Sequence, residues 1–194
     1  MRIHTVGDSH CHCGWPAFVT PHHLGAMLCY SFGKEKLDRC DLRDLDIEDG
    51  DTVIFCFGEI DCRAHIHKHI TEEITYQDII DELVTNYFEA IELNITTSGL
   101  KLKNICVFNV VPPNQGGTKN HDWVGYSKPD EKRKSFVEYF NQQLKVKCEE
   151  YGYLFFDVYD EYVDSAGFLN RALSDNHMHI AMVGPLYQFM REHF

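Results

Sequence analysis

Asp49-Gly50-Asp51, then Thr52-Val53-Ile54-Phe55-Cys56-Phe57, then Gly58, reads as a turn, an uncharged β-rich run and a stop. A strand with one wet face alternates apolar and polar residues; a run with no polar alternation is the pattern of a parallel strand covered on both faces. Ile105 to Val111 repeats it and is closed by Pro112-Pro113, which cannot continue a ladder. Tyr153 to Val158 reads as another strand. Arg2 to Val6, short and partly β-branched, runs straight into the turn composition Gly7-Asp8-Ser9.

Between these runs the period changes. From Thr75 to about Thr97, Ile79, Ile80, Leu83, Val84, Tyr87, Phe88 and Ile91 recur at spacings of three and four, which marks one face of a helix. Lys128-Pro129-Asp130-Glu131 opens a second helix, with proline and acids in its first turn and Phe136, Val137, Phe140 and Leu144 facing inward down to Cys148. Residues 14 to 33 suggest a loop followed by a short helix from Leu24 to Phe32, residues 114 to 128 a long loop, and Gly184 to His193 a closing helix. Strands alternating with helices predict one domain over residues 1–194, a flavodoxin-like three-layer α/β/α sandwich with a mostly parallel sheet. In such a sheet, sites gather at the carboxyl ends of the strands.

Apolar residues make up 44% of the 194, enough for a sizeable core without disorder. Against 30 acidic side chains stand 18 basic ones, a formal charge of -12, which repels nucleic acid and anionic membrane and leaves neutral or cationic substrates as the better fit. No run of about 18 apolar residues occurs and the first residues lack the apolar block of a signal peptide, so a soluble, cytoplasmic protein is expected. Its eight cysteines are then reduced thiols, and the sequon Asn94-Ile95-Thr96 goes unused.

Ser9 follows the first strand, where a parallel sheet exposes a side chain at its edge. A serine hydroxyl is a poor nucleophile until a base takes its proton, usually a histidine oriented by a carboxylate. Near the other end of the chain, Ser174-Asp175-Asn176-His177-Met178-His179-Ile180 brings one acid and two imidazoles together. An aspartate four residues before a histidine can reach its ring from the same loop.

Gly7-Asp8-Ser9-His10, Gly58-Glu59-Ile60-Asp61 after a strand, and Asp175 to His179 near the C-terminus resemble, in order and spacing, the motif blocks of the SGNH or GDSL-type esterases and lipases over nearly the whole chain. The resemblance implies Ser9 as nucleophile, His179 as base and Asp175 as its orienting carboxylate, with no cofactor and no metal. It implies an oxyanion held by the Ser9 and Gly25 N–H groups, with Gly33 the other candidate for that glycine, and a substrate site around Gly58, Glu59, Asp61 and Arg63. Two further departures stand out. Ile60 occupies the place of an asparagine that donates to the oxyanion, and Arg63 is the candidate substitute. The gap from Asp175 to His179 is one residue longer than usual, and His177 competes for the base. The implied activity is hydrolysis of a carboxylic ester, of a small molecule or an acetylated carbohydrate, through an acyl-serine. An acyltransferase acting on a sugar, or an inactive binding protein of the same fold, are the alternatives; the oligomeric state is not legible.

His10-Cys11-His12-Cys13 and His65-Ile66-His67-Lys68-His69 are dense in metal-binding side chains, but strict alternation points neighbours in opposite directions, so polar rims are the better reading. Arg63 also suits an internal ion pair with Asp61 or with Glu59. Trp123, Tyr126, Tyr159 and Tyr162 are candidates for lining a sugar or acyl pocket, or for plain packing.

Overall fold

The computed structural model describes residues 1–116 and 129–194. Five strands, β1 (Ile3–Gly7), β2 (Val19–His23), β3 (Thr52–Cys56), β4 (Asn104–Phe108) and β5 (Leu154–Phe156), form one sheet. Their order is β2-β1-β3-β4-β5 and every pairing is parallel, so the three-layer α/β/α sandwich expected from the sequence is what the chain adopts. The principal helices are α1 (Cys29–Glu35), α2 (Glu59–Ala64), α3 (Tyr76–Ser98) and α4 (Asp130–Tyr151), followed by α5 (Tyr159–Tyr162) and α6 (Gly184–His193).

The pleat explains the uncharged runs. Val53 and Phe55 of β3 enter one core with Phe32, Val84, Tyr87 and Phe136 from α1, α3 and α4. Ile54 and Cys56 enter a second core on the opposite face, with Phe156 from β5 and Leu186 and Met190 from α6. Both faces of β3 are thereby dry, and full burial of each such side chain contributes about 1.5–3 kcal/mol. Helix α3 begins in a capping box, Thr75 with Asp78, and both it and α4 stop at left-handed glycines, Gly99 and Gly152.

Two elements differ from the sequence expectation. Residues 19–23, expected in a loop, are edge strand β2, and α1 begins at Cys29 rather than near Leu24. Pro21 disguised the strand, but an edge strand bonds on one side only, so the missing N–H costs no ladder bond there. The start of α1 carries no side-chain cap of its own; Asp61, distant in sequence, supplies it, accepting the N–H groups of Cys29 and Tyr30 at 2.7 and 3.1 Å. No local signal encodes that.

Strand β1 lies at the reversal of strand order, between β2 and β3, and its last residue is pressed on its neighbour. A Cβ placed at Gly7 would lie 2.0 Å from the Cys56 carbonyl oxygen. Only a residue without a side chain lets the Asp8 N–H reach that same oxygen, at 3.2 Å. Gly7→Ala is expected to destabilise the fold by about 3 kcal/mol or to prevent folding, against about 1 kcal/mol for removing the α3 cap with Thr75→Ala; urea denaturation checks both.

Candidate active site

Beyond Gly7 the chain turns at once into a 3-10 turn, Ser9–Cys11, capped by Asp8, whose carboxylate accepts the His10 N–H at 2.8 Å. The turn is pinned from below by Thr5, whose hydroxyl donates to the Cys11 carbonyl at 2.5 Å. Ser9 is carried, half-buried, at the carboxyl edge of the sheet.

The opposing loop, residues 174–180, is closed by an antiparallel bridge between Ser174 and Ile180 and by the Asp175 N–H donating to the His179 carbonyl at 3.0 Å. The Asp175 carboxylate accepts the His177 and His179 N–H groups at 2.8 and 3.2 Å. Asn176 turns the loop at φ 64, in the left-handed region. His179 is thus delivered with Nε2 2.8 Å from Ser9 Oγ and Nδ1 2.7 Å from Asp175 Oδ2. His177 projects to the exposed side of the loop. The structure brings Ser9, His179 and Asp175 into one chain of hydrogen bonds, along which a hydroxyl proton can pass to an imidazole held by a carboxylate.

The electrostatics fit that transfer. Burial, together with the nearby His10, lowers His179 below the ordinary imidazole value against the pull of Asp175. Burial works against ionised Asp175, but its bonds from His179 and from the two amides outweigh that and hold its carboxyl below the usual range. His10 behaves oppositely: burial would lower it, but the charge and hydrogen bond of Asp8, with Glu59 behind, raise it to about 9.

The other expected site residues take more varied places. Gly25 lies beyond the end of β2, the strand beside β1, and neither its N–H nor that of Ser9 has a partner among the described residues. Gly33, its competitor, is buried inside α1 against Asn86 of α3. Gly58 opens α2 at φ 112, a conformation that side chains resist, with the Phe140 ring where a Cβ would go. Ile60 is buried. Asp61 is committed to the start of α1 and lifted by burial to about 7. Arg63 directs its Nε at both carboxylate oxygens of Glu59, 2.8 and 3.0 Å away, so the guanidinium expected on the oxyanion is held by an internal ion pair.

Several signals dissolve. Among the described residues no three His, Cys, Asp or Glu side chains converge to hold a metal: His10 bonds Asp8, and His12 packs on His23. All eight cysteines carry free thiols, and burial raises that of Cys62 well above its usual value. Asn94 of the sequon is buried and accepts the Leu42 N–H. Tyr162 is core rather than pocket, its hydroxyl donating to the Met182 carbonyl, and Tyr159 packs against the other core. Trp123 and Tyr126 lie outside the described residues. A cavity of about 380 Å³ runs past Leu28, Asp61, His65 and Asn86 and is not lined by Ser9 or His179.

Sequence reasoning missed His10 as part of this site, reading it as a polar rim; the signal was Asp8-x-His10, a carboxylate two residues before an imidazole on a turn.

The chain matches no family model and no curated protein. Solved structures do match. A protein of Bacteroides fragilis, provisionally assigned as an acylhydrolase, superposes with a TM-score of 0.63 at 15% identity, over 98% of this chain and 83% of that one. A GDSL-like lipase of Bacteroides thetaiotaomicron gives 0.62 at 14% identity, over 98% and 84%. An acetylxylan esterase of Geobacillus stearothermophilus gives 0.58 at 13%, over 98% and 92%, and its catalytic mutants exchange an aspartate or a serine for alanine. The chain has the SGNH/GDSL hydrolase fold.

The ion pair on α2 makes its own prediction. Both side chains are about 10% exposed, so Arg63→Ala strands a buried carboxylate and is expected to cost about 3 kcal/mol, read by urea denaturation.

Proposed function

We propose that this protein is a serine hydrolase that cleaves a carboxylic ester through an acyl-serine intermediate, and that a short acyl group, such as an acetyl group on a carbohydrate, is what it removes. The observation that carries the reading is the 2.8 Å contact between Ser9 Oγ and the ring nitrogen of His179 opposite the one that holds Asp175. The fold it shares with a lipase and an acetylxylan esterase supports it, as does an acidic surface that favours a neutral ester over an anionic one.

In this mechanism Ser9 Oγ attacks the ester carbonyl while His179 Nε2 takes its proton. The tetrahedral oxyanion is met by the Ser9 and Gly25 N–H groups, and its collapse expels the alcohol, to which His179 returns the proton. Water then attacks the acyl-serine by the same route and frees the acid. Asp175 stays ionised and holds His179 in the tautomer with hydrogen on Nδ1. The eight free thiols support a reducing compartment such as the cytoplasm.

Ile60 favours one competing reading, a binding protein that has kept the fold, since its side chain donates nothing to an oxyanion. Losing one such donor lowers rates by about 10²–10³ without abolishing them, so a slow esterase is the expected outcome.

Labelling by a fluorophosphonate and hydrolysis of p-nitrophenyl acetate decide between the two. Wild type should label at Ser9 and turn over, Ser9→Ala should do neither, and Asp175→Asn should lose about 10⁴ in kcat. His177→Ala should stay close to wild type. An unlabelled, inactive wild-type protein would sink the hydrolase reading in favour of the binding one.

The pH profile gives a further test. The base works only when neutral, and His179 titrates below the usual imidazole value of about 6.5. The acid limb of kcat/KM is therefore expected to have its midpoint below that pH.

A further inference from the structure

His10 is 5% exposed, with Nδ1 2.9 Å from Asp8 Oδ1 and Nε2 3.2 Å from the Met178 carbonyl oxygen. A backbone carbonyl only accepts, and so does an ionised carboxylate. Asp8 Oδ1 already accepts the His10 N–H at 2.8 Å, which favours the ionised form. A neutral imidazole has a single N–H and would set a lone pair against one of these oxygens; the doubly protonated ring satisfies both. Met178 directly precedes His179, and the two imidazole rings stand 4.8 Å apart at 47°.

We infer that His10 is a positioning residue held as an imidazolium at neutral pH. Asp8 carries its countercharge, its Nε2–H fixes the Met178 carbonyl and so sets His179 against Ser9, and its positive charge keeps that base neutral. This rests on His179 being the base of the proposed reaction. A second proton on His179 would put like charges on one buried and one partly buried ring, 4.8 Å apart. His12, on the same turn as His10, is lowered by burial and by its neighbours His23 and His10. Asp8 flanks His10 on its own turn, Glu59 approaches from α2 while paired to Arg63, and Asp175 faces His179 from its own loop. Asp8 Oδ2, without a partner among the described residues, borders a void of about 10 Å³ shared with Glu59 and Asn109, room for one water. The elevation of His10 to about 9 agrees with the geometry.

The test is ¹⁵N NMR of the histidine rings in the full chain, with and without His10→Gln, which keeps a donor but carries no charge. In wild type both His10 nitrogens should be protonated at pH 7 and lose a proton only toward pH 9, while His179 is neutral at pH 7. In His10→Gln the titration of His179 should move to higher pH, and the acid limb of kcat with it. kcat at pH 6 should fall about tenfold with KM nearly unchanged. A residue that merely supports the fold would lower stability and leave the His179 titration where it was. Finding His10 neutral at pH 7, or His179 unmoved in the variant, would overturn the inference. Should the variant not fold, the protonation state in wild type still decides. Because the rings are read directly, the two readings fail separately. A neutral His10 in an active esterase defeats this inference alone, and a protonated His10 in a protein that hydrolyses no ester defeats the proposed function alone.

Discussion

Everything at this site hangs on how closely β1 approaches β3. A central parallel strand is bonded on both sides and covered on both faces, so its carboxyl end cannot shift without breaking ladders to β2 and β3 together. Gly7 makes the approach possible, and the Asp8 N–H on the Cys56 carbonyl extends the ladder one residue beyond the strand. The 3-10 turn that follows is therefore anchored to the most rigid part of the molecule. A proposed nucleophile needs that placement, because a misplacement of about 1 Å can cost two orders of magnitude in rate.

The partner loop is positioned by different means. It lies close to the C-terminus, between core residues Leu169 and Ile180 and helix α6, and no ladder reaches it beyond the single Ser174–Ile180 bridge. Its shape is set internally by Asp175, which accepts two amides as well as the ring of His179. That carboxylate does two jobs, folding the loop and orienting the imidazole. What connects the loop to the turn across 168 residues is the contact of His10 with the Met178 carbonyl, alongside that of Ser9 with His179.

The fold was legible where its physics is local. β3 and β4 announce themselves because a strand dry on both faces has no polar alternation, and α3 because one helical face must be apolar. Ser9, Asp175 and His179 were legible because nucleophile, base and carboxylate are a small vocabulary, set at the strand end and late loop where such a sheet can unite them. The rest depends on contacts that sequence does not encode. β2 hid behind Pro21, which only its edge position tolerates. The start of α1 hid because its cap, Asp61, comes from another element. Of His177 and His179, the one preferred from the sequence, His179, is the one whose Nε2 lies 2.8 Å from Ser9 Oγ. Arg63 left two readings in the sequence, oxyanion donor or internal ion pair; with Glu59 one helical turn away on the same side, the buried pair is the one formed.

The acids near Ser9 pose a problem that the fold answers group by group. Asp8, Glu59, Asp61 and Asp175 crowd the carboxyl edge of a chain already carrying a charge of -12, and an oxyanion forming there would be opposed by each unpaired carboxylate. Each is matched inside the protein: Asp8 by His10, Glu59 by Arg63, Asp61 by the first amides of α1, Asp175 by His179 and its loop. Arg63 on Glu59 and a protonated His10 on Asp8 turn two of these charges into short-range dipoles, whose field falls off faster with distance than that of a charge, whereas Asp61 and Asp175 are stabilised by donors that carry no net charge. For the proposed reaction, those two pairings remove two of the four carboxylate charges that would oppose an oxyanion beside Ser9.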